Sequence, residues 1–228
     1  YYGSAYAGSF DSLVSSLCFL VLGINNLALK FYPLMVSLIV VYLTYLLGSE
    51  IYNVQVGLLA SLFASIGTPF MIDWSLRLTG GHVPILIFGN ILFFLTYRII
   101  FKKQESINVY KIIGFISGLS LWIHTISVLY IMTILLFLLL HDKKFLFKKT
   151  FVLFILYLTI GALPLIIWNW QTGFETMNYL AGRGLPFMHN ILRSSDNINN
   201  MLESLSTVIG LSPSLGLSKI DFLKYITI

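Results

Sequence analysis

Charge is what this chain of 228 residues has least of. Asp, Glu, Lys and Arg together make up 10% of it, whereas 57% of the residues are hydrophobic and the mean hydropathy is +0.88. A soluble domain carries about a quarter charged residues, so a water-exposed globular fold is excluded and the bilayer is the expected solvent. Cysteine is nearly absent. The single Cys18 lies inside an apolar run, where it reads as a small packed hydrophobe; no zinc-type cluster and no metal ligand set exists. No Asn-x-Ser/Thr glycosylation acceptor occurs, and strand-like alternation is missing from the apolar runs, which argues against a membrane barrel.

What is present is a series of long uncharged stretches: residues 12–29, 31–49, 51–72, 78–97, 112–141 and 150–174, of 18, 19, 22, 20, 30 and 25 residues. A helix needs about 20 apolar residues to cross the hydrocarbon core, and helices satisfy their own backbone groups there. The expected fold class is therefore all-α, a polytopic transmembrane helix bundle over residues 1–170. Residues 171–228 form a more polar segment. Within it, "NNMLESLSTVIGL" has the apolar spacing of an amphipathic helix lying on the membrane or over a cavity. The chain opens on Tyr1 and ends on "FLKYITI", with no signal-peptide pattern; a fragment of a longer polytopic protein is expected.

Lys and Arg near helix ends set orientation. Two segments hold eight of the fourteen basic residues: Arg98, Lys102, Lys103 and Lys111 in one, Lys143, Lys144, Lys148 and Lys149 in the other. Both are placed in the cytoplasm, so an even number of crossings separates them. The 30-residue stretch 112–141 then divides into two short helices meeting at "LWIHTISV", with His124 on the outside. Counting outward from there gives about six spans: 27–48, 54–71, 82–98, the pair within 112–141, and 150–169. A further helix over 11–23 is either a short span or interfacial. The turn "GSEIYNVQ" falls inside the cell although it carries no Lys or Arg.

This map gathers ionisable and aromatic groups on the outer face: Tyr6 and Asp11, Asn25, Asn26 and Lys30, Asp73, Arg77 and His82, His124, then Trp168, Trp170, Gln171, Glu175, Tyr179 and Arg183. One-sided clustering of such groups in a membrane protein marks a site. Each also has a plain reading. Trp168 and Trp170 suit interfacial anchoring, and Lys30 suits contact with lipid phosphates. His124 suits capping at a helix break. "TGGHVP" suits a helix start with Pro84 in the first turn. Asp73 and Arg77, spaced i, i+4, suit a mutual pair. Gly114 and Gly118 form a GxxxG that suits close helix packing.

Several stretches taken in order resemble a known family. They are "GSAYAGSFDS" followed by an apolar helix, "LALKFYPLMVSLIVVYLTYLLGSEIYNVQVGLLASLF", "WSLRLTGGH", "GLSLWIHTISVLYI" and "GALPLIIWNW". Over roughly residues 1–185 the chain is similar to multi-spanning glycosyltransferases of the C-type fold. Among these it is nearest to prokaryotic relatives of protein O-mannosyltransferases and of the lipid A aminoarabinose transferase (glycosyltransferase family 39-like). The resemblance implies a plasma-membrane enzyme that moves a hexosyl or pentosyl group from a polyprenyl-phosphate-linked donor, on the exoplasmic face. The acceptor would be a protein, lipid or cell-wall glycan. Arg77, His82, His124 and Lys30 are then candidates to supply cations for the phosphate, with Tyr6, Trp170 and Arg183 as further substrate-binding candidates. Family members place their catalytic carboxylate in the first exoplasmic loop, which is expected upstream of Tyr1; Asp73 and Asp11 are the acids left here. Where relatives often carry an acidic residue near the second loop, this chain has His82. Some members use a divalent metal and others none. The rival readings are a polytopic transporter or lipid flippase, which would show inverted repeats and breaks at the bilayer midplane, and a non-enzymatic membrane subunit. A nucleic-acid partner is set aside, because the net charge of +5 is accounted for by the two basic loops.

Overall fold

The computed structural model describes residues 5–67, 72 and 80–182. Among these the chain is helical, as the apolar runs require. The elements are α1 (Phe10–Leu22), α2 (Asn26–Ile51), α3 (Val54–Ile66), α4 (Pro84–Lys102), α5 (Ile107–Ile123), α6 (Val128–His141), α7 (Lys149–Gly161) and α8 (Leu163–Gln171). A further helix among the described residues, α9, covers 175–182. Local chemistry sets the boundaries. Asn25 and Asn53 accept from the backbone N–H of Ala28 and Val56 and so cap α2 and α3. Pro84 occupies the first turn of α4, where its missing N–H costs nothing. Pro164 near the start of α8 cannot continue the preceding helix, because its ring would meet the carbonyl of Ile160. There α7 and α8 bend by 58°.

Two helices, α2 and α4, are long and apolar enough to cross a membrane, and the bent pair α7–α8 makes a third if taken as one span. The uncharged stretch 112–141 is indeed two helices, α5 and α6, parted at His124 by a short 3-10 turn over Thr125–Ser127. Of the expected span 54–71, α3 forms the first part, and residues 68–71 lie outside the described set, as do 183–228 with the expected amphipathic helix.

The core joins α4 through α7. Leu92 and Ile99 of α4, Ile113 of α5, Ile134 and Leu138 of α6, and Phe154 of α7 are all buried in one cluster with Phe145. The GxxxG works as close packing. A side chain at Gly114 or Gly118 would run into the carbonyl oxygens of Phe154 and Leu158 on α7, so α5 and α7 touch backbone to backbone. By contrast, Leu58, Leu59, Leu62 and Phe63 of α3 are exposed, as lipid-facing side chains are.

The two basic segments lie at one end. His141 at the end of α6 approaches Glu105 before α5, Nε2 to Oε1 3.2 Å, and Asp142 pairs with Lys148. Glu50 at the end of α2 faces Arg98 of α4, 3.6 Å apart. The turn that lacks a basic residue of its own therefore receives one from the neighbouring helix. The start of α4, the end of α5 and the first turns of α2 come together at the opposite end.

Candidate functional site

At that opposite end the break between α5 and α6 would leave backbone groups unpaired, which is costly in an apolar medium. The segment ahead of α1 supplies partners. Ala7 and His124 form an isolated antiparallel bridge, with Gly8 N–H donating to the Ile123 carbonyl (3.1 Å) and Thr125 N–H to the Tyr6 carbonyl (3.0 Å). His124 completes the break through its own ring: Nδ1 accepts from Ile126 N–H at 3.1 Å. The capping reading of His124 is thus correct for one ring nitrogen. In the neutral ring this bond leaves the proton on Nε2, and Nε2 is buried with no hydrogen-bond partner among the described residues.

Beside it sits His82, its ring centroid 4.2 Å from that of His124 and tilted by 48°. The preceding turn delivers it. Gly81 has φ +90, and a Cβ there would stand 2.7 Å from the Ile123 carbonyl oxygen, so both the turn and the close approach require glycine. Asp11 pins this turn. Its carboxylate is buried, 6% exposed; Oδ1 accepts from the Tyr32 hydroxyl at 2.7 Å and Oδ2 from Gly81 N–H at 2.8 Å. One side chain thereby ties α1, α2 and the start of α4 together.

Burial decides the state of the histidines. It lowers the His124 pKa to about 4, with His82 adding to the effect. It also lowers that of His82, against the pull of the Asp11 charge. Both shifts favour the neutral imidazole, which offers an N–H group to a ligand. Asp11, an acid–base candidate from the sequence, has both oxygens engaged as hydrogen-bond acceptors inside the fold, where it ties the helices at this end together.

Tyr6 completes the cluster. Its ring meets His124 edge-on at 5.5 Å and stacks on Tyr179 at 5.4 Å. Tyr179 comes from α9, which is fastened to α8 by Thr176 N–H donating to Asn169 Oδ1. Lys30 does not join. Ala28, Tyr32, Pro33 and Val36 are the buried positions of α2, and Lys30 is exposed. Trp170 is 79% exposed and also stays out, while Trp168 is buried. Asp73, Arg77 and Arg183 lie outside the described residues. No group of three His, Cys, Asp or Glu side chains suited to a metal occurs among the described residues. Tyr32 had no place among the sequence candidates. The signal was there: a tyrosine hydroxyl inside an uncharged membrane stretch needs a partner.

The profile of the dolichyl-phosphate-mannose-protein mannosyltransferase family matches residues 12–168. The chain belongs to this family. Membership places it among integral membrane glycosyltransferases that use a lipid-linked sugar donor, in line with its apolar helices. His82 and His124 fall within the matched region, and Tyr6, Asp11 and Tyr179 flank it. No curated protein and no solved structure matches the chain.

Proposed function

We propose that the end of the bundle holding Asp11, His82, His124, Tyr6 and Tyr179 is the sugar-transfer site, and that it faces the exoplasm. The observation that carries this reading is the segregation of polar groups: a buried histidine beside a half-buried one, a buried carboxylate and stacked tyrosines at one end, and paired or exposed lysines at the other. The positive-inside rule assigns the lysine end to the cytoplasm. A polyprenyl chain then lies in the bilayer with its phosphate at headgroup depth outside, and the sugar meets the cluster.

In the transfer, the acceptor hydroxyl oxygen bonds to the anomeric carbon while the bond from that carbon to the phosphate oxygen breaks. The phosphate leaves on the lipid with the bonding electrons, and the hydroxyl proton passes to a base. Arg77, three residues before the described turn that starts at Gly80, is the candidate phosphate partner, since a guanidinium can bond two phosphate oxygens. The group moved is a hexose or pentose, and the acceptor is a hydroxyl of a protein, lipid or cell-wall glycan.

The test is transfer from polyprenyl-phosphate mannose by the full-length protein in liposomes. His82→Ala and Arg77→Ala should each lower the rate at least about tenfold, the scale of one lost charged or buried hydrogen bond, with membrane insertion intact. Undiminished transfer by both variants would overturn the assignment.

A further inference from the structure

Resting on the site assignment above, we propose that His124 reads the sugar rather than the phosphate: its Nε2–H donates a hydrogen bond to a hydroxyl of the lipid-linked sugar. Three observations lead there. The bond from Ile126 N–H to Nδ1 fixes the tautomer, so Nε2 carries the proton whenever the ring is neutral. His124 is 5% exposed, and Nε2 has no partner among the described residues. A buried donor left unpaired costs free energy that a bound acceptor would recover. The indole Nε1–H of Trp122, two residues away, is buried and unpaired among the described residues in the same way, so the break between α5 and α6 holds two such donors.

The kind of oxygen follows from charge. The rings against His124 are those of His82 and Tyr6. Asp11 is the acidic group acting on His82, and burial keeps both histidines uncharged at neutral pH. His124 itself is shifted by burial and by His82, with Asp11 acting on His82 instead. Among the described residues no cation is shown against His124, and a phosphate buried against the ring would need one. A sugar hydroxyl accepts the bond without that penalty. Tyr6, 38% exposed, is the more exposed of the two rings against His124, so its side is where a sugar would approach.

The decisive variant is His124→Asn. An Asn oxygen accepts from the backbone N–H two residues on, as in an Asx-turn, so it keeps the cap on Ile126, while its amide is too short to reach the Nε2 position. Full-length protein in nanodiscs is titrated with two probes, polyprenyl-phosphate mannose and polyprenyl phosphate without sugar. The expected result is about tenfold weaker binding of the mannose lipid and unchanged binding of the bare phosphate. Equal losses on both probes would assign Nε2 to the phosphate and overturn the proposal. No loss on either would leave His124 a helix-break cap and likewise overturn it. A wild-type protein that binds neither probe would instead overturn the site assignment beneath it.

Discussion

The two ends of the bundle use similar residues in opposite ways. At the lysine end, His141 meets Glu105 and Asp142 meets Lys148, in pairs open to solvent. The Lys148 ammonium holds the Asp142 carboxyl below its usual pKa, but water and salt screen such pairs and each contributes little. At the other end, His124 meets a second histidine, and Asp11 meets a tyrosine hydroxyl and a backbone N–H. Burial there removes the screening and makes each group depend on its neighbours. A membrane protein can thus carry charge at one face for orientation and polar groups at the other for chemistry, and burial tells the two uses apart.

That contrast predicts a ranking of effects. The largest belongs to Gly81→Ala, which combines a left-handed backbone with a collision against the Ile123 carbonyl. It should destabilise the protein by about 3 kcal/mol and abolish transfer, read by thermal unfolding in detergent and by activity. A stable, active Gly81→Ala protein would mean that the turn is free to relax. Next comes Asp11→Ala, which leaves the Tyr32 hydroxyl and Gly81 N–H unpaired and should cost about 2 kcal/mol. Tyr32→Phe removes one of those bonds together with its donor and should cost about 1 kcal/mol. If Asp11→Ala were silent in unfolding but inactive in transfer, Asp11 would be a catalytic acid–base group after all rather than a tie between helices.

A smaller effect comes from pH. Folded His124 titrates near 4 and an unperturbed histidine near 6.5. Between those values the unfolded chain binds more protons, so stability rises with pH and falls on acidification through that window. Burial of His82 acts in the same direction. Acidification from pH 7 to about 4.5 should therefore lower the melting temperature of the wild type more than that of His124→Asn; equal shifts would show that His124 is not the group responsible. The smallest effect is expected at the other end, where Lys148→Gln should leave transfer within about twofold.

Much of this was legible in the sequence. The uncharged runs predicted helices because lipid leaves the backbone no other partner. "LWIHTISV" predicted the break that parts α5 from α6, Pro84 the start of α4, and Gly114 and Gly118 a tight crossing. The two segments were placed on one side because both are basic, and the contact between Glu105 and His141 brings them together. The pairings inside the site were not legible. Asp11 reaches Gly81 across 70 positions, and nothing local in either segment announces the other. The pKa shifts of the histidines were not legible for the same reason: imidazole pKa follows from burial, and burial from how distant chain segments pack. Lys30 looked like a site residue because it is close in sequence to the polar end, but the helical period turns it to the exposed side of α2.

The central claim is that the buried polar end, not the lysine end, carries the chemistry. Its most direct test is the initial rate of sugar transfer from polyprenyl-phosphate mannose by full-length protein in liposomes, measured side by side for His82→Ala, His124→Asn, Lys148→Gln and Glu105→Gln. The account predicts losses of about tenfold or more for the two histidine variants and near wild-type rates for the other two. Near wild-type rates at the histidine end with losses at the lysine end would contradict it.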